Sequence, residues 1–225
     1  IAYAVAFMIL LVLGIIFYVN VTAASLQQYP LSIQVILNPL VTLFLFTTPA
    51  LTMRSLSEEQ RSGTLELLLT SPVRDFELVV GKWLAGFLFL LTITLVTLAY
   101  AIILNRITDP GIDQGLLIAG YGGLILLSAA FIAIGVATSS IFSNQIAAFF
   151  TTLGILMVFW MIGVPAQITG ANEGASLLSY LDMSEHYFSS FFQGIVQLQD
   201  IIFYLSVTAL ALLLGTVSIE TRRWR

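Results

Sequence analysis

An all-α, polytopic membrane fold with six transmembrane helices is what this chain predicts, and three observations carry that expectation. Hydrophobic residues make up 59% of the 225 positions and charged residues only 9%, whereas a soluble domain carries about a quarter charged residues. Mean hydropathy is +1.01, and no aqueous fold hides that much apolar surface, while a hydrocarbon core of about 30 Å is crossed by roughly 20 mostly apolar residues in a helix. The apolar runs are long and do not alternate strictly, which favours helices over barrel strands.

The first run covers residues 1–19 and starts at Ile1, without a methionine and already inside the apolar stretch. The expectation is therefore that an N-terminal cytoplasmic piece precedes it. Thr22, Ala23, Ala24 and Ser25 follow in the manner of a signal-peptide cleavage site, but the length of the run favours a retained span. A polar, nearly uncharged loop is expected over 20–33. The second span, 34–53, contains Pro39 and Pro49, each of which removes an i to i−4 hydrogen bond and bends its helix; ordinary packing is preferred here to kinked gating. Residues 54–78 form a charge-rich loop, 79–104 the third span, and 105–114 a short acidic loop. In the fourth span, 115–138, Ala129, Ala133 and Ala137 recur every four residues, a spacing that permits close helix approach. A short link, 139–144, leads to the fifth span, 145–164. A long loop, 165–200, then precedes the last span, 201–219.

Orientation is read from the basic residues, because cytoplasmic flanks retain Lys and Arg. Arg54, Arg61, Arg74, Lys82, Arg222, Arg223 and Arg225 fall on one side of a six-span arrangement, and Arg106 alone on the other. The loop 54–78 and the C-terminus are thus expected in the cytoplasm. Asp109, Asp113, Glu173, Asp182, Glu185 and Asp200 are expected outside. Trp83 and Trp224 fall beside the cytoplasmic basic residues as interfacial anchors. Dropping the first run as a signal peptide leaves five spans with the same orientation.

Several function classes are excluded. There is no cysteine, hence no disulfide framework, thiolate metal site or cysteine nucleophile. None of the 12 carboxylates lies in the middle of a span, nor does His186, so the intramembrane acid or imidazole that proton and sodium pumps use is missing. The uncharged polar groups within spans, Asn38, Thr42, Thr47, Thr48, Thr92, Thr94, Thr97, Thr151 and Thr152, are read as bonding to helix backbones or neighbouring helices rather than as lining a substrate path. No G-x-x-x-x-G-K-[ST] phosphate loop occurs, Gly81 and Lys82 being followed by Trp83. The chain has no nucleotide site and is not expected to be an enzyme by itself; no cofactor, metal or nucleic-acid partner is expected either.

The loop 54–78 is the informative one. Ser57 with Gln60 suits a capping box, and Gly63 suits the end of that turn. Thr64 to Thr70 then suit a short helix exposing Glu66 beside a leucine ridge. Ser71 as N-cap with Pro72 at the first helical position would begin the helix leading into the third span. A short amphipathic helix held in this way either docks on a partner or lies flat on lipid.

At these residues the sequence resembles the type-2 ABC permease family, whose second cytoplasmic loop carries Glu, then Gly-Thr-Leu-Glu, leucines and Ser/Thr-Pro. The matching residues are Glu59, Gly63, Thr64, Leu65, Glu66, Leu67, Leu68, Ser71 and Pro72, followed by Gly81-Lys82. The resemblance implies that Thr64 to Thr70 form a coupling helix docking on cytoplasmic ABC ATPase subunits, which hold ATP and Mg. It also implies pairing with a second permease, identical or homologous, in the cell membrane. A further stretch resembles the gliding-motility and copper-maturation branch: His186-Tyr187-Phe188, Phe191-Phe192-Gln193-Gly194-Ile195, Asp200 and the terminal Arg222-Arg223-Trp224-Arg225. Phe188, Phe191, Phe192 and Ile195 are spaced for one helix face, read as an outer-leaflet amphipathic helix, with a gate as the sharper alternative. The whole of 1–225 is thus expected to form one permease domain that exports or flips a substrate. The alternative is a non-transporting anchor, assembly or mechanotransmission subunit of a larger complex.

Overall fold

The computed structural model describes residues 2–27, 31–64, 74–109, 111–164 and 178–223, and among them there is no strand. Among the described residues the α-helices with full bounds are α1 (Ala2–Gln27), α2 (Gln34–Thr52), α3 (Ser57–Ser62), α4 (Asp75–Ile107), α5 (Gln114–Ile141), α6 (Gln145–Met161), α7 (Met183–Phe188) and α8 (Leu198–Arg223). A 3-10 turn, Phe191–Gln193, lies between α7 and α8. The α1, α2, α4, α5 and α8 segments are long and apolar enough to cross a membrane. The 17 residues of α6 are apolar but shorter, reaching about 26 Å at 1.5 Å per residue.

The helices outrun the apolar runs that announced them. The polar stretch after residue 19, expected as loop, continues α1 as far as Gln27. It can do so because Asn20 Nδ2 donates to Ile16 O, Thr22 Oγ1 to Tyr18 O and Ser25 Oγ to Thr22 O; polar side chains that bond to the helix's own carbonyls need no water. Threonines deeper in the bundle do the same: Thr47 bonds to Leu43 O, Thr48 to Phe44 O and Thr94 to Leu90 O. Asp113 begins α5, accepting from the N–H groups of Gly115 and Leu116 at 2.8 and 3.3 Å. Asn144 begins α6, accepting from Ile146 N–H at 2.9 Å.

The bundle is organised around α5. In its most apolar window 83% of residues are buried, against 11% in α1, and it touches α2, α4, α6, α8 and the 3-10 turn. Small residues let the neighbours in. A Cβ on Gly120 would stand 2.3 Å from Leu37 of α2, one on Gly123 2.4 Å from the Phe191 ring, and one on Gly135 2.2 Å from Thr52 Oγ1. On the other face Gly215 of α8 approaches Ala137, whose Cα would lie 3.3 Å from an added Cβ. Ala129, Ala133 and Ala137 are all buried, in keeping with their four-residue spacing.

Gly123→Ala should therefore destabilise the protein, because the new methyl meets an aromatic ring within a packed site, a cost of about 1–3 kcal/mol. Gly154→Ala on α6, where nothing lies within 4 Å of the added carbon, should be neutral or stabilising by up to about 1 kcal/mol through helix propensity. Thermal unfolding in one detergent, followed by the recovery of monodisperse protein, measures both.

Candidate coupling site

At one end of the bundle α2 stops at Thr52 and the chain turns through Met53–Leu56 into α3. The first N–H groups of any helix lack intrahelical acceptors. Here they are met by another helix: Ser139 Oγ, fully buried near the end of α5, accepts from Leu56 N–H at 3.0 Å and Ser57 N–H at 3.1 Å. The capping box expected from Ser57 and Gln60 does not form. Ser57 is already the first helical residue and its hydroxyl donates back to Met53 O. Gln60 Nε2 instead reaches α5, donating to Ser140 O at 2.7 Å, and Ser218 Oγ of α8 donates to the same carbonyl at 3.2 Å.

An ion pair between Glu59 and Lys82 ties α3 to α4. Both side chains are largely covered, with 22% of Glu59 and 32% of Lys82 exposed, so the pair is worth more than a fully solvated one and still of order 1 kcal/mol. Beside it Trp83 Nε1 donates to Ala129 O at 2.9 Å, locking α4 onto α5. Glu59 Oε2 and Gln60 Oε1 are buried with no partner among the described residues.

The chain leaves α3 through Gly63, whose φ of 74° lies in the left-handed region that favours glycine. Thr64 follows on the surface, its hydroxyl 2.9 Å from Ser62 Oγ and 3.4 Å from Glu59 O. Leu65, Glu66, Leu67, Leu68, Ser71 and Pro72, and with them the proposed coupling helix itself, lie outside the described residues. The helix into the third span begins at Asp75 rather than at Pro72: Arg74 is its N-cap residue in extended conformation, and Arg74 N–H donates to Glu77 Oε2 at 3.1 Å.

The opposite end carries a second polar node. Asp182, buried at 1% exposure, caps α7 by accepting from Ser184 and Glu185 N–H, and also accepts from Gly163 N–H at 3.1 Å. His186 Nε2 lies 2.9 Å from the Tyr180 carbonyl; a carbonyl can only accept, so this nitrogen carries a proton. Nδ1 faces Asp200 Oδ1 at 2.6 Å, Ser190 Oγ bonds to the other carboxylate oxygen, and the ring stacks on Phe203 at 4.0 Å. Tyr187 OH donates to Gly120 O at 3.2 Å. Burial, with a smaller contribution from Tyr121, pushes its phenol well above the usual tyrosine range, so it remains a donor.

This node corrects the reading of Phe188, Phe191, Phe192 and Ile195 as one face of an amphipathic helix. The α-helix stops at Phe188, Ser190 is pulled towards Asp200, and Gly194 turns the chain with φ 83°. Phe191 is 2% exposed against α5, Phe188 and Phe192 are half-buried and meet edge to face at 5.0 Å, and Ile195 is 51% exposed. The three phenylalanines still pack on the same core, but through a broken helix rather than one continuous face, and Ile195 is turned out of it.

Ser139 and Ser140 were missed in the sequence, where they read as the start of a short link, and nothing in their spacing reveals a cap given to a helix far away in the chain. Ser139→Ala should leave two buried N–H groups without their acceptor, a cost of about 1–3 kcal/mol. The expected result is faster hydrogen–deuterium exchange confined to peptides over 55–62, with α6 and α8 unchanged.

Two comparisons bear on what this arrangement serves. A family model described as ABC-2 family transporter protein matches residues 15–219, from the middle of α1 to α8. The probable ABC transporter permease protein NosY of Pseudomonas aeruginosa is 30% identical over 148 residues, 64% of this chain and 50% of that relative. The chain therefore spans about half the length of the relative it matches.

Proposed function

This chain belongs to the ABC-2 family of transporter proteins, and from that premise we propose that it is a permease whose energy arrives through residues 64–70 from a separate ATPase subunit holding ATP and Mg. One observation carries the proposal: α3, the helix leading into that segment, is bonded at its start to α5 and by an ion pair to α4. A push on the chain beyond Gly63 is thereby delivered to the most buried helix of the bundle. The six-span arrangement, with α6 as a shorter fifth crossing, puts Arg54, Arg61, Arg74 and Lys82 at the cytoplasmic end with the C-terminus. A second permease copy or homologue completes the path, along which substrate moves outward or between leaflets.

A second reading has an observation of its own. The same α5 meets α3 at one end and, at the other, Phe191 and Tyr187 through Gly123 and Gly120. A shaft gripped at both ends also suits transmission of force to a partner outside, without passage of a solute. Copurification with an ATPase and ATP-dependent movement of the 183–193 region, in the absence of any transported solute, would favour it. An anchor subunit would show neither.

Glu66→Lys is the discriminating variant. At a docked contact the reversed charge replaces attraction with repulsion, which costs several kcal/mol; on a helix skimming anionic lipid an added lysine helps by about 1 kcal/mol. The expectation is weakened recovery of the ATPase, or hydrolysis uncoupled from transport, with membrane insertion intact. Unchanged recovery, hydrolysis and transport would remove Glu66 from the coupling role.

Topology is checked in the same cysteine-free background. Single cysteines at Ser62 and Ser176 should react with an impermeant reagent from opposite sides of the membrane. Equal labelling of both from one side contradicts the six-span arrangement.

A further inference from the structure

A cavity of about 630 Å³ opens between α1, α2 and the Phe191–Gln193 turn. Three carboxamides, Asn20, Gln34 and Asn38, line it, and Ile16, Pro39 and Phe192 supply apolar wall; among the described residues no charged side chain takes part. Two of the amides are engaged within the protein, Asn20 Nδ2 donating to Ile16 O at 2.8 Å and Gln34 Nε2 to Phe192 O at 2.8 Å. Asn38 differs. It is exposed, and no described residue hydrogen-bonds to its side chain, although its backbone carbonyl accepts from Thr42 Oγ1.

A lipid-facing carboxamide without a hydrogen bond is costly unless a polar group meets it. Depth narrows the choice. On the reading of α2 as a span that enters the bilayer at Gln34, Asn38, four residues on, lies about 6 Å in, close to the interfacial layer of about 5–7 Å in which the linkages of lipid heads to acyl chains lie. The absence of charge in the lining leaves nothing to neutralise a phosphate or a cation. What fits is a head that both donates and accepts hydrogen bonds without a charge, attached to an apolar body.

We propose that this cavity binds the uncharged head of a membrane amphiphile of the acylglycerol class, with the Asn38 carboxamide as its polar contact and Ile16, Pro39 and Phe192 against the first part of its chain. The proposal rests on the reading of α1 and α2 as membrane spans. It requires neither an ATPase nor transport, so its failure and that of the permease reading are separable.

The test uses the full chain in nanodiscs containing a diazirine-bearing diacylglycerol, with adducts mapped by mass spectrometry after irradiation. Adducts should concentrate on the segments around 16–20 and 34–39. Asn38→Leu should lower their yield about threefold to tenfold, the effect of one hydrogen bond, while Asn38→Gln, which keeps the carboxamide, should retain most of it. A diazirine-bearing phosphatidic acid should label these segments less well. Adducts spread evenly over all lipid-facing helices, equal yields in wild type and Asn38→Leu, or preference for the phosphatidic acid would each overturn the proposal. So would a disulfide between two copies carrying Asn38→Cys, which would show that a second chain fills the space. Recovery of the ATPase by the same samples reports separately on the permease reading.

Discussion

Close backbone approach to one helix governs this fold. Lipid tails are as apolar as leucine, so helices in a bilayer gain little from burying apolar surface against one another and depend on packing and internal hydrogen bonds. The glycines of α5 at 120, 123 and 135 let Leu37, Phe191 and Thr52 reach its backbone, and Gly215 lets α8 do the same at Ala137. A larger residue at any of these positions would separate a pair of helices that the bilayer itself has no reason to hold together. The polar contacts at both ends presuppose this spacing, since Ser139 and Gly120 are offered to α3 and Tyr187 from the same helix.

The polar groups divide by depth. Within the spans, hydroxyls turn back on their own helices, as Thr47, Thr48 and Thr94 do, or meet one another, as Thr138 of α5 meets Thr152 of α6. Charged side chains gather towards the ends, where Glu59 pairs with Lys82 at one and Asp200 meets His186 and Ser190 at the other. Both arrangements join a short helix to the long helix that follows it. Each fixes a short helix, α3 or α7, that spans nothing but connects elements that do. Short helices have too few internal bonds to persist alone, so their order is borrowed from the long ones.

Much of this was legible in the sequence for a physical reason: a bilayer demands apolar length, and length is visible. The positions of the long helices, the left-handed turn at Gly63 and the close packing of the alanines on α5 follow from local pattern. The extension of α1 to Gln27 was not visible, because Asn20, Thr22 and Ser25 look like loop residues until their bonds to the preceding turn are known. The Phe188–Ile195 stripe satisfied a 3.6-residue period and still failed, since the α-helix ends at Phe188 and the chain turns at Gly194, with Ser190 bonded to both His186 O and Asp200. The most informative miss was Ser139. Its hydroxyl serves two N–H groups 83 and 82 residues away, and a bond between one side chain and a remote backbone leaves no trace in composition or spacing.

That long separation also imposes an order on the molecule's making. Chains emerge from the ribosome N-terminus first at roughly 5–20 residues per second, so the hydroxyl that completes α3 appears on the order of 4–16 seconds after the N–H groups awaiting it. In that interval the segment ahead of Gly63 has been made but lacks the contact that starts its helix. Anything that grips the chain beyond Gly63 through an ordered α3 must therefore wait until α5 is in place. The start of α3 is thus completed by a part of the chain made later than α3 itself.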